Sequence, residues 1–146
     1  MTDDIAYLAA LVDGEGSIGL CLTSRKKGKY PCVLYRLTVW NSDVGIVKKA
    51  ERILSEILKR VVVGHLYKPT NSKKPAYAVD VRSKEDLVVV LPLIMPHLAS
   101  EEKMAKAGFV LRWLDGASLT NDLGRTTITD YYSRWGRKNP AQVMGW

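Results

Sequence analysis

The chain has 146 residues, 47% of them apolar and 25% charged, with 22 Lys and Arg against 15 Asp and Glu. That length and balance predict one globular domain with a good core, and they exclude fibrous, collagenous and disordered classes. The net charge of +7 and the pI near 9.5 point to an anionic partner, nucleic acid first. Two cysteines make no zinc pattern, the acidic start is unlike a signal peptide, and no apolar run is long enough to span a bilayer. The expectation is an intracellular protein, not secreted and not membrane-bound.

Residues 5–12 are apolar without a break. Thr2 suits a helix cap, and Asp3 and Asp4 suit the positive end of the helix dipole. A helix apolar on every side is expected to be buried on every side. Ala9 and Ala10 are small enough to let another backbone approach. Asp13 and Glu15 then stand at the negative end of the dipole, where a carboxylate needs compensation such as a divalent cation. Gly14 and Gly16 permit a sharp exit.

Residues 17–24 alternate, with Ile18, Leu20 and Leu22 on one face and Gly19, Cys21 and Thr23 on the other. A turn carrying Arg25, Lys26, Lys27 and Lys29 follows. The chain returns over 32–41, with Val33, Tyr35, Leu37 and Val39 opposite Leu34, Arg36, Thr38 and Trp40. This is a long hairpin with a basic tip, and the absence of acids there suits phosphate contact. A disulfide between Cys21 and Cys32 is allowed, but reduced thiols are the expectation.

Asn41-Ser42-Asp43 starts a helix over 44–59. Strands are predicted over 61–67 and 76–82, around a basic turn holding Lys73 and Lys74. On the second of them Tyr77, Val79 and Val81 share one face, and Ala78, Asp80 and Arg82 the other. Ser83 to Asp86 opens a helix interrupted near Pro92 and stopped at Pro96. Another helix begins after Ser100 and ends around 115–116. Residues 116–128 read as loop, and a short helix is predicted over 129–135. The order is α-β-β-α-β-β-α-α.

Leu8-Ala9-Ala10-Leu11-Val12-Asp13-Gly14-Glu15-Gly16 resembles the nine-residue signature of the LAGLIDADG homing endonucleases. Ala10 and Gly14 are small-for-small exchanges, Val12 is an apolar swap, and Glu15 replaces an aspartate. The order of elements matches that family's core, so the resemblance spans roughly residues 3–113. It implies an α+β fold with an αββαββα core over about 3–115 and a variable extension, 116–146, with C-terminal helices. The curved antiparallel four-stranded sheet would form a DNA-binding saddle.

The resemblance implies a site-specific double-strand endonuclease, freestanding or intron-encoded. It would cut a long, near-palindromic target across the minor groove and leave short 3′ overhangs. Residues 110–117 only faintly echo a second motif and lack its second acid. One motif implies a homodimer joined through the signature helix, with Ala6, Ala9 and Ala10 at the contact. Mg2+, with Mn2+ able to substitute, would be held by Glu15 and the Gly14 carbonyl. Asp13 would be structural. Asn41 and Lys103 are the candidate catalytic partners of Glu15, with Lys106 competing with Lys103.

Base reading would fall to Gly19, Cys21, Thr23, Arg36, Thr38, Tyr67, Ala78, Asp80 and Arg82, with Asp80 either orienting Arg82 or accepting from cytosine. Arg25, Lys26, Lys27, Lys29, Lys73 and Lys74 would meet phosphates. His65 and His97 receive no role. The competing readings are an RNA maturase that assists intron splicing and a non-catalytic DNA-binding regulator of the same fold.

Overall fold

In the computed structural model, which describes residues 2–23, 31–67, 75–136 and 138–146, the opening apolar run forms helix α1 (Thr2–Glu15), with Asp3 and Asp4 in its first turn. The chain turns straight into β1 (Gly16–Thr23), which pairs antiparallel with β2 (Cys32–Asn41). Gly16 is required there. A Cβ at that position would lie 2.7 Å from both the Thr38 carbonyl oxygen and the Val12 Cα. The last turn of α1 therefore packs directly on the β2 backbone.

Helix α2 (Val44–Leu58) starts at Asp43, whose carboxylate accepts from the Gly45 N–H at 2.9 Å. It buries Val47, Ala50, Ile53 and Leu54, a stripe of helical period. Strands β3 (His65–Tyr67) and β4 (Ala76–Val81) complete a four-stranded antiparallel sheet in the order β1-β2-β4-β3. Helix α3 (Lys84–Ile94), a 3-10 turn (Met95–His97), α4 (Glu101–Leu114), α5 (Asp122–Trp135) and α6 (Pro140–Met144) follow. Ser83, Ser100, Asn121 and Asn139 cap the four helices in turn. Among the described residues no helix is long and apolar enough to cross a membrane.

The helices cover one face of the sheet. Ile18, Leu20, Leu22, Leu37, Val39, Val79 and Val81 meet Leu8 and Val12 of α1, Ile53 and Leu54 of α2, and Leu87, Val90, Leu91 and Ile94 of α3. Val110 of α4 and Ile128 of α5 close the same core. Each fully buried leucine here, such as Leu8 or Leu87, contributes about 2 kcal/mol.

Several boundaries differ from the sequence reading for identifiable reasons. Helix α3 runs through Pro92 instead of breaking there. Pro92 and Val88, whose carbonyl loses its partner, are both on the wet side, where water can serve. Strand β3 starts at His65 rather than 61, because the preceding backbone is taken by α2. The Val62 N–H donates to Ser55 Oγ at 3.0 Å, and the Gly64 N–H donates to Glu51 Oε1 at 2.8 Å. Helix α5 begins at Asp122, well inside the expected loop, with the Gly124 N–H donating to Asn121 Oδ1 at 2.8 Å. Helix α1 is not covered on every side. Leu8, Ala9 and Val12 are fully buried, whereas Ala10 and Gly14 are exposed and Ala6 is half-covered.

The segment after α4 closes the free edge of β1. The Leu22 N–H donates to the Tyr132 hydroxyl at 2.8 Å, and Lys138 Nζ donates to the Leu22 carbonyl at 2.6 Å. The Tyr131 hydroxyl bonds the backbone at Leu20. Phe109 holds α5 in place through edge-on contacts with Tyr131 and Trp135, with ring centroids 5.8 and 5.6 Å apart.

Candidate nucleic-acid interface

The ladder fixes what the uncovered sheet face presents. Ser17 pairs with Thr38, Gly19 with Arg36, Cys21 with Leu34 and Thr23 with Cys32. Thr38 also pairs with Asp80, and Ala78 stands between Trp40 and His65. With side chains alternating, all of these share the face turned away from the helices, and Arg82 continues it. Two recesses lie on this face. One, of about 550 Å3, is lined by Ser17, Gly19, Cys21, Arg36, Arg82, Lys106 and Tyr131 among others. The other, of about 360 Å3, is lined by Ser17, Arg36, Thr38, Trp40, His65, Ala78, Asp80 and Arg82.

The candidate readers differ in what they can touch. Arg36, Arg82 and Cys21 are exposed, whereas Thr38 and Ala78 are buried and form the floor. The Thr23 hydroxyl donates to the Cys32 carbonyl at 3.0 Å, across the ladder from it. Both thiols are free, and the register sets Cys21 diagonal to Cys32 rather than opposite. Tyr67 is the last residue of β3, in register with Ala76. Arg25, Lys26, Lys27, Lys29, Lys73 and Lys74 lie outside the described residues.

Burial raises the phenol pKa of both Tyr131 and Tyr132 above the ordinary tyrosine value. A Cβ on residue 19 would collide with the Tyr131 hydroxyl, so any larger residue there requires that phenol to move.

At the base of this face, α1 ends against the start of α4. The two oxygens of Asp13 accept from the Ala99 N–H at 2.8 Å and the Ser100 N–H at 3.0 Å. In return, Lys103 Nζ donates to the Val12 carbonyl at 2.7 Å and the Asp13 carbonyl at 2.5 Å. A carboxylate thus meets the positive end of α4, and an ammonium meets the negative end of α1. The compensation that Asp13 needs comes from within the chain.

Lys106 is placed elsewhere, 3.2 Å from Glu102, over the Trp135 ring and beside the larger recess. Asn41 Oδ1 accepts from the Asp43 N–H at 2.8 Å, at the entry to α2. Its described hydrogen bond joins it to neither Glu15 nor Lys103.

Gly14 and Glu15 are exposed, and a Cβ on residue 14 would meet no other part of the fold within 4 Å. A carboxylate and a backbone carbonyl are hard oxygen donors of the kind Mg2+ takes while keeping several waters. Among the described residues no group of three or more His, Cys, Asp or Glu could hold a metal ion. Glu15 and the Gly14 carbonyl are two oxygen donors, too few in one chain for a closed cage.

Solved structures share this fold. The archaeal intron-encoded homing endonuclease I-Vdi141I, complexed with DNA, superposes with a TM-score of 0.72 over 98% of this chain and 93% of that one, at 9% identity. The LAGLIDADG meganuclease I-CpaMI, bound to uncleaved DNA, gives 0.57 over 76% of this chain and 37% of that one, at 16% identity. The chain has the LAGLIDADG fold. I-CvuI, another homing endonuclease with this fold, gives 0.62 over 90% of this chain and 78% of that one, at 23% identity. It was solved with the I-CreI target in the presence of 2 mM Mg, with the DNA not cleaved. The sequence itself matches no protein-family model and no curated protein.

Within the LAGLIDADG fold, the signature Leu8–Gly16 supplies the second half of α1 and the turn into β1. Ala9, expected at a contact between two signature helices, faces its own core. It lies one helical step from Ala10, on the side of Leu8 and Val12. Strand parity placed Trp40 on the outward face, but no role was assigned to it. His65, open in sequence between core and sheet surface, lies in a strand of three residues, too short to show a period, and Tyr131 reaches the sheet from a helix that gives no local sign of it.

Proposed function

We propose that two copies of this chain form a site-specific double-strand DNA endonuclease. The observation that carries this reading is the junction at Gly14 to Gly16. The exposed Glu15 ends α1, and the next residue begins the strand that carries the polar face of the saddle. Acid and reading surface are thus one covalent step apart. The exposed stripe of Ala10 and Gly14, with Ala6 beside it, suits close approach of a second α1, which would bring two Glu15 side chains near the axis.

In this reading the outward face lies along a groove of a near-palindromic target, one protomer per half-site. Arg36 and Arg82 address base edges, and Arg25, Lys26, Lys27, Lys29, Lys73 and Lys74 would address phosphates. Glu15 and the Gly14 carbonyl would hold Mg2+ or Mn2+. Such an ion supplies Lewis acidity at a phosphate and a water of lowered pKa. Lys103, fixed on the Val12 and Asp13 carbonyls, holds positive charge where the scissile phosphate gains negative charge. Asn41 sits at the turn from β2 into α2 and can orient a water. Cuts on both strands across the minor groove leave short 3′ overhangs.

Digestion of a randomised plasmid library in Mg2+ and in Ca2+, with sequencing of the ends, tests the proposal. The expected outcome is cutting in Mg2+ only, at one near-palindromic sequence. Glu15→Gln should abolish cutting and leave DNA binding nearly intact. Tight binding of DNA or RNA without any cutting by the unaltered chain would sink the nuclease reading.

A further inference from the structure

Asp80 stands on the outward face of β4 among a hydroxyl, a guanidinium and an imidazole. Its Oδ1 accepts the Thr38 hydroxyl at 2.7 Å across the β2–β4 pair, and its Oδ2 accepts from Arg82 Nη2 at 3.0 Å. His65 Nε2 faces the same Oδ2 at 3.8 Å from β3. The exposures are unequal: 12% for the Asp80 side chain, 62% for Arg82 and 52% for His65. The carboxylate is sunk between its neighbours with both oxygens directed at protein donors. Arg82 and His65 are the groups that rise above it, at the rim of the 360 Å3 recess floored by Ala78.

An arginine held along one edge by a carboxylate keeps its remaining N–H groups in a fixed plane. That plane can meet guanine O6 and N7 together, with less side-chain freedom left to lose on binding. A carboxylate reading cytosine would instead need an exposed oxygen aimed outward, and Asp80 presents neither the exposure nor the direction.

We infer that Asp80 is a positioning residue that fixes Arg82 as a guanine reader, with His65 as a second reader at the neighbouring base pair. The inference rests on the DNA reading above and adds which side chains discriminate and which one holds them.

Selection of bound duplexes from a randomised pool in Ca2+, followed by sequencing, tests it. The unaltered chain should show a guanine preference at one position of each half-site, and Arg82→Ala should erase it. Asp80→Asn keeps the shape of the residue but not its charge. It should weaken the same preference by about tenfold while preferences elsewhere stand. Asp80→Glu, which returns the charge, should recover part of the loss, and His65→Ala should relax only the adjacent position. If Asp80 variants fail to fold, Arg82→Lys keeps the charge without the planar fork that Asp80 holds and should weaken the guanine preference while retaining affinity; an unchanged preference would overturn the inference.

A preference lost at a position of Asp80's own, or an equal loss at all positions, would overturn the inference and leave the DNA reading in place. Failure of the folded, unaltered chain to select any sequence would remove both.

Discussion

Asp13 and Lys103 solve one electrostatic problem between them. Each helix end leaves unpaired backbone groups, and here an anion and a cation are exchanged between two such ends. The Asp13 contacts bridge 86 and 87 residues of sequence. Asp13→Ala would strand the Ala99 and Ser100 N–H groups, and Ser100 is also the cap of α4. The expected cost is about 2 kcal/mol, read as a lower urea midpoint with an unchanged slope. A midpoint within error of the unaltered chain would show that water replaces the carboxylate. The sequence showed that an acid at a helix C-terminus needs a counter-charge. It could not show whether that charge was a metal ion or the start of another helix, because nothing near Asp13 in sequence carries the answer.

At the scale of elements, β1 is an edge strand whose backbone is capped by side chains. Tyr131, Tyr132 and Lys138 occupy the edge groups at Leu20 and Leu22. Open edges invite pairing with other chains, and this cover removes the invitation. Tyr132→Phe deletes one bond and should cost about 1 kcal/mol at neutral pH.

The phenols also predict an alkaline weakness. Burial raises both pKa values in the folded chain, so above about pH 10 the unfolded chain loses these protons first. Their stabilising share, full below that pH, fades as the pH climbs through the raised values. Thermal melts across this range should fall more steeply for the unaltered chain than for a Tyr131→Phe, Tyr132→Phe double variant, and parallel curves would refute the assignment.

The strands, with their regular alternation, were legible at the same scale, down to which residues share a face. Helix α5 was not. Its first turns carry Gly124, Thr126 and Thr127, poor helix formers, and packing of Ile128 and Thr127 outweighs that preference. The Asn121 cap was the one local signal of its start.

The whole molecule has a polar saddle on one side and helices on the other, with α1 exposing a narrow stripe of small residues. If that stripe seats a second copy, Ala10→Glu should place two carboxylates against each other at the axis. Sedimentation should then show half the mass and digestion should show no cutting. The melting temperature should fall and lose its dependence on protein concentration, because a partner no longer stabilises the folded chain. A dimer of unchanged affinity would mean the copies meet elsewhere.

Cys21 and Cys32 are the only cysteines in the chain, and both stand free on the outward sheet face. Their position makes them a built-in footprint. Whatever lies along that face shields them from a small alkylating reagent, and whatever binds the helical side leaves them open. Occupancy of the saddle is thereby readable by mass from the unaltered protein, with no label introduced.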